Sequence, residues 1–320
     1  MANQKKRRHA RYDRLAGVGM FVLCVVLLII LITRCTKKQP EEPVSSTAVN
    51  VTISSETVSV QERKNYAQAS VPTEKVHSGH MILVNQAFPC QIDSEAVLNG
   101  SSSEIQFVTI KSILDTKTEE VKPYTAADWE VGLDNVVALA MDSWFEAFCK
   151  KTGHRDLRMI GGYKPNAEDP DFQTGRTLTI GIFPETGTSS VYTPEGDYAW
   201  LSEHASEYGF ILRYPEGKDA YFDKGITERR TATFRYVGLA PAAYIASRGM
   251  CLEEFLHEIR RYSVDNMLII KSNGKSYGMY FVPAETENET TVFSVPSSET
   301  PYDISGNNSD GFIITVYQTP

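Results

Sequence analysis

Basic charge is scarce in most of this chain. Residues 1–38 hold nine Lys/Arg and one Asp, whereas the remainder sets 23 Lys/Arg against 39 Asp/Glu, about −16. Nucleic-acid binding needs a basic footprint, so the acidic body argues against it. Adhesion of the body to anionic lipid is disfavoured on the same ground. Cysteine is also sparse. Of five, Cys24 and Cys35 lie in or beside an apolar run, and Cys90, Cys149 and Cys251 have spacings that match no zinc motif. An odd number permits at most one internal pair, and three unpaired thiols is the preferred reading. Histidine is limited to His9, His77, His80, His154, His204 and His257. His77 and His80 could share a metal, but a loop pair of this kind is more often solvated. No Ser-His-Asp or Cys-His arrangement is legible.

What is present suits one good-sized domain with an appendage: 320 residues, 42% hydrophobic and 22% charged. Leu15 to Thr33 are 19 consecutive uncharged, mostly apolar positions. As a helix rising about 1.5 Å per residue, they nearly cross a hydrocarbon core of roughly 30 Å. Lys5, Lys6, Arg7, Arg8, Arg11 and Arg14 precede them, a heavier cluster than the Arg34, Lys37 and Lys38 that follow. The positive-inside rule therefore predicts a cytoplasmic tail at 1–14 and an extracytoplasmic body. The run is longer than a signal-peptide core and no Ala-x-Ala site follows, so an uncleaved anchor is expected. Residues 34–77, rich in Ser, Thr, Glu and Pro, read as a flexible stalk.

Beyond the stalk, Met81–Val84 and Ile105–Ile110 predict strands. Leu133, Val136, Val137, Ala140, Met141, Trp144, Phe145 and Phe148 form one apolar stripe at helical spacing, and Gly153 stops the helix. Strands are expected at Leu157–Ile160, Leu178–Ile182 and Gly209–Tyr214, with helices over 197–208 and twice within 240–262. After Asp265 the pattern turns all-β. Asn273-Gly274 marks a hairpin, and TTVFSVP and GFIITVYQ complete a small sheet. The fold class read from this order is α+β, with a main domain at 78–264 and a β appendage at 265–320.

Several pieces occur in a telling order: Trp200-Leu201, Tyr208–Pro215, Arg235–Gly238, Leu252–Leu256 and the approach RMIGGYK. Together, over residues 78–318, they resemble the VanY-like D-alanyl-D-alanine carboxypeptidases, zinc peptidases of the LAS type. The resemblance implies a LAS/hedgehog-type domain and a place at the cell wall. The family's zinc ligands sit in Ser-x-His-x-x-Gly-x-Ala-x-Asp and in Glu-Pro-Trp-His, whose Glu is the general base. Three protein ligands leave a position for a water that zinc activates.

Laid on these motifs, Gln173-Thr174-Gly175 puts Phe172 at the first His and Thr179 at the Asp. Counting back from Phe234–Gly238 puts Thr233 at the second His and Arg230 at the Glu. Phe offers no lone pair, Thr hydroxyls are poor zinc ligands, and an arginine is no base at neutral pH. The resemblance thus implies a degenerate member with no cofactor, the family zinc being absent, and no catalytic residue. The family's Arg in Gly-Tyr-Arg-Ser becomes Lys164, which keeps only the charge, and eight residues separate Tyr163 from Phe172, a shortened cleft wall.

Three functions remain open. A non-catalytic protein would hold the carboxylate of a peptidoglycan stem peptide through Lys164, Arg213 or Arg235, although structural ion pairs are the more ordinary role for the two arginines. An interaction scaffold would dock an envelope protein. A carboxypeptidase with displaced ligands is the third.

Overall fold

The computed structural model describes residues 52–57, 66–221 and 230–318. The expected anchor at 15–33 and tail at 1–14 lie outside the described residues. Among the described residues no helix is long and apolar enough to cross a membrane.

In chain order the elements begin with β1 (Thr52–Thr57), β2 (Ala67–Pro72), α1 (Ser94–Leu98), β3 (Phe107–Thr109) and α2 (Ile110–Asp115). Next come β4 (Thr125–Ala126), β5 (Gly132–Asp134), α3 (Asn135–Thr152), β6 (Leu157–Gly161), β7 (Thr177–Ile182) and β8 (Ser190–Val191). Then follow α4 (Ala199–His204), β9 (Phe210–Leu212), β10 (Thr233–Tyr236), α5 (Leu239–Arg248) and α6 (Leu252–Glu258). The last stretch is all-β: β11 (Asn266–Ser272), β12 (Lys275–Pro283), β13 (Thr290–Val295), β14 (Tyr302–Gly306) and β15 (Gly311–Gln318).

One sheet runs β4-β6-β7-β10-β9, with β8 also on β7. It is antiparallel except where β4 meets β6. Helix α3 covers it with the predicted aromatic stripe. Trp144 stacks on Phe210 at 5.1 Å between ring centroids and meets Phe234 edge-on at 5.0 Å. Gly153 ends the helix in the left-handed region at φ 83°. Val136, counted in the stripe, faces solvent instead. It lies about 100° round the helix from Val137, beyond the buried arc.

The second sheet runs β1-β11-β12-β15-β14. Asn273 (φ 51°) and Gly274 (φ 73°) make the expected hairpin turn between β11 and β12. Both faces of this sheet are buried. Leu268 and Ile270 pack with Tyr244, Phe255 and Ile259 from the helical side. Met267 and Ile269 pack with Val71, Phe293 and Phe312 on the other. Burial on both faces explains why MLII shows no polar alternation.

Three expectations are corrected here. The stalk expected over 34–77 contributes ordered structure: β1 pairs with β11, β2 pairs with β13, and Thr73–His77 form a 3-10 turn. The boundary at 264/265 does not separate two cores, because α5 and α6 share theirs with β11 and β12. The expected strand at Met81–Val84 is absent although Met81, Ile82 and Val84 are buried. Its polar backbone is satisfied elsewhere: Met81 N donates to Ser305 Oγ at 2.8 Å, Leu83 N to Asn307 O at 3.2 Å, and Ile82 O accepts from Arg235. Two smaller differences accompany these. The 105–110 strand is only β3, since Thr109 caps α2, and TTVFSVP leaves the appendage sheet to pair with β2.

Candidate functional site

The residues that the resemblance sets at the family's ligand positions lie close together. Thr179 of β7 lies opposite Thr233 of β10, and their Oγ1 atoms are 3.3 Å apart. On its other side Thr179 lies opposite Gly161 of β6, next to a bulge. A 3-10 turn at Pro170–Thr174 carries Phe172 over the same spot. A Cβ added at Gly161 would meet Thr179 Oγ1 at 3.2 Å and Phe172 Cε1 at 3.4 Å. Phe172, Thr179 and Thr233 therefore face one point from three elements. Thr179 and Thr233 are buried, and the phenyl ring is half-buried.

The donor set at that point is two neutral hydroxyls, able to bond one another, and a hydrocarbon ring. It does not fit a zinc ion, which takes Cys, His or carboxylate ligands. Among the described residues no group of three or more His, Cys, Asp or Glu is arranged to hold a metal. The histidines are dispersed. His77 Nδ1 lies 2.7 Å from Asn308 Oδ1, His204 Nδ1 lies 2.9 Å from Trp200 O, and His154 Nε2 lies 3.2 Å from Asp197. Arg230 opens a one-turn 3-10 helix three residues before Thr233; its side chain lies outside the described residues.

Arg213 and Arg235 point inward. Asp171, immediately before Phe172, takes Arg213 Nε at 3.0 Å on one oxygen and Arg235 Nη1 at 2.6 Å on the other. Thr177 Oγ1 adds a hydrogen bond at 3.2 Å, and Arg213 reaches on to Glu253 at 2.8 Å. All three members of the Asp171–Arg213–Arg235 cluster are buried. Burial drives the Asp171 carboxyl upward, but Arg235 and Arg213 outweigh it and hold the group below the usual carboxylate range. The two guanidiniums are committed to the interior and do not present a free cation to a ligand. Lys164 differs. It is exposed, its side chain has no ion-pair partner among the described residues, and its backbone N–H donates to Phe172 O at 3.2 Å. The shortened wall after it is a compact loop, closed by Gln173 Nε2 on Ala167 O at 3.2 Å.

Sequence reasoning missed Asp171, one acid among 40 with no pattern to mark it. It also missed a cleft of about 500 Å³ beside α6, lined by Lys218, Tyr221, Glu253, Glu254, His257 and Arg261 among others. That cleft meets the cluster through the Glu253–Arg213 pair.

His80 sits over Gly238 and edge-on to Tyr236, with ring centroids 6.1 Å apart. Burial, aided by Arg176 and Arg235 and opposed by Asp303, pushes its pKa down to about 4. The depressed value means His80 is neutral in the fold. Its contribution to stability is complete above the unfolded pKa of about 6.5 and is lost as pH falls toward 4. The shift corresponds to about 3 kcal/mol. Urea titrations from pH 7 to pH 4 are expected to show that much more loss for the wild type than for His80→Gln. Parallel slopes would refute it.

No family model matches the chain. It is 27% identical over 263 residues to a D-alanyl-D-alanine carboxypeptidase of Enterococcus faecium, across 79% of this chain and 80% of that protein. Over 79 residues, 24% of this chain and 28% of the other, it is 40% identical to a D-alanyl-D-alanine carboxypeptidase of Enterococcus faecalis. Among solved structures it resembles the vancomycin-resistance D,D-dipeptidase VanXYg, solved with a D-Ala-D-Ala phosphinate analog. That likeness has a TM-score of 0.61 at 21% identity and covers 79% of this chain and 99% of that one. The architecture is the mixed α+β fold of that peptidase. In sequence the chain is thus similar to D-alanyl-D-alanine carboxypeptidases over most of its length, and in fold to a D,D-dipeptidase.

Proposed function

We propose that this chain is a non-catalytic carboxypeptidase-like protein of the cell wall. Residues 15–33 anchor it in the membrane and its folded part lies outside the cytoplasm. The observation that carries the non-catalytic reading is the convergence of Phe172, Thr179 and Thr233 on one buried point with no metal-binding chemistry. A stem peptide ending in D-Ala-D-Ala is the ligand that the sequence relatives' names favour, and Lys164 is the exposed cation beside Phe172 that suits its carboxylate. Burial of the centre favours a second reading, in which the rim docks an envelope protein and no peptide enters.

The test is calorimetric titration of a D-Ala-D-Ala-terminated pentapeptide into the purified protein, with zinc content and D-alanine release measured on the same sample. Binding that Lys164→Ala weakens at least about tenfold, without zinc or release, is the expected result. No binding would favour the docking reading. Release that a chelator abolishes would sink both.

A further inference from the structure

We propose that Asn308, in the β appendage, is a positioning residue that latches residues 78–90 over the degenerate centre. Asn308 is buried in the turn between β14 and β15, with φ 62°, and its backbone N–H donates to Val76 O at 2.8 Å. Its side-chain amide donates to three carbonyls of the strap: Leu83 O at 2.9 Å, Pro89 O at 3.0 Å and Phe88 O at 3.3 Å. Its Oδ1 faces His77 Nδ1 at 2.7 Å. An amide has the hydrogens and the acceptor this arrangement requires, whereas a carboxylate would set an acceptor oxygen in place of Nδ2 against three carbonyl acceptors.

The far side of the strap rests on the buried Arg235 and on the turn that carries Phe172. Arg235 Nη2 donates to Ile82 O at 3.0 Å, and the Cys90 thiol lies 3.8 Å from Gln173 O, one residue from Phe172. Between these ends the strap belongs to no sheet, and it is held by contacts to two bodies rather than by a ladder. Met81, Ile82 and Val84 are buried and keep the strap's first half in place, but residues 85–90 are half-buried or exposed, and such a segment opens when single contacts are cut, without unfolding the sheets on either side. Access to the Phe172–Gln173 edge is therefore set from the appendage. This role stands whichever ligand the protein takes.

Cys90 reports the strap, because it is half-buried at the strap's end, while Cys149 and Cys251 are buried elsewhere and report the rest of the fold. The experiment is iodoacetamide labelling of the full chain in detergent micelles, followed peptide by peptide by mass spectrometry. Asn308→Asp and Asn308→Gly are expected to raise the Cys90 rate at least about tenfold and to leave Cys149 and Cys251 within about twofold. Glycine keeps the positive φ, so a rise there assigns the latch to the side chain. Ser305→Ala, which cuts the Met81 contact and a local bond to Gly306 O but none of the Asn308 bonds, is expected to give a smaller rise at the same cysteine. An unchanged Cys90 rate would overturn the proposal. So would an equal rise at all three cysteines, which would report general loosening.

Discussion

Asp171→Asn is expected to destabilise the fold by about 3–5 kcal/mol, the usual consequence of removing one partner from a buried ion pair. Asp171 and Glu253 face Arg213 and Arg235, so the buried group is balanced in charge. Removing Asp171 leaves one positive charge in excess. Arg213 retains Glu253, but the other contacts of Arg235 are neutral: Thr174 Oγ1 at 2.8 Å and the carbonyls of Ile82 and His80. Asparagine keeps the volume and can still accept a hydrogen bond, so lost packing does not confuse the measurement. In a body of this size each kcal/mol moves the melting temperature by roughly 2–4 °C, which puts the expected drop at about 6–20 °C. The decisive control is the uncharged variant Asp171→Leu, Arg213→Met, Arg235→Leu, Glu253→Gln. Taking out all four charges leaves none uncompensated, and it is expected to cost less than Asp171→Asn alone. An uncharged variant less stable than the single would show that the cluster is worth more than its desolvation.

The parts of the fold legible in the sequence are those fixed by local chemistry. Gly153 had to end α3, Asn273-Gly274 had to turn β11 into β12, and the Trp144–Phe148 arc could only be core. What was hidden depended on distant partners. Nothing local in Met81–Val84 distinguishes a strand from a buried strap whose hydrogen bonds come from Ser305, Asn307 and Arg235. Thr52–Thr57 and Ala67–Pro72 look like stalk by composition, and they become strands because β11 and β13, more than 200 residues later, offer edges. At the site, family motifs located Phe172, Thr179 and Thr233, and the register of β6, β7 and β10 brings those positions to one point. The inward role of Arg213 and Arg235 needed Asp171, whose importance lies in its burial and in no motif.

The variant Phe172→His, Thr179→Asp, Thr233→His, Arg230→Glu is expected to acquire one tightly held zinc per chain, and the wild type is expected to hold none. The three ligand substitutions fall on side chains that already converge, two of them opposite each other in the β7–β10 register. Without metal the new carboxylate at position 179 is buried and unpaired, an arrangement that costs several kcal/mol. With metal the set becomes two imidazoles and a carboxylate, as in zinc sites that keep an open position. The melting temperature of the variant should therefore fall on chelation and recover on adding zinc, while that of the wild type ignores both. Arg230→Glu alone should change neither zinc content nor activity, because a base at that position has no metal to serve. D-Alanine release by the four-fold variant is expected to stay far below that of an intact enzyme. The loop at 164–171 is compact where the resemblance expects a longer wall, and a substrate misplaced by about 1 Å can cost 10²-fold. The critical measurement is zinc by elemental analysis after dialysis. Zinc-free protein that remains folded would mean that Phe172, Thr179 and Thr233 do not form a ligand ring, and the correspondence with the family's motifs would fall with it.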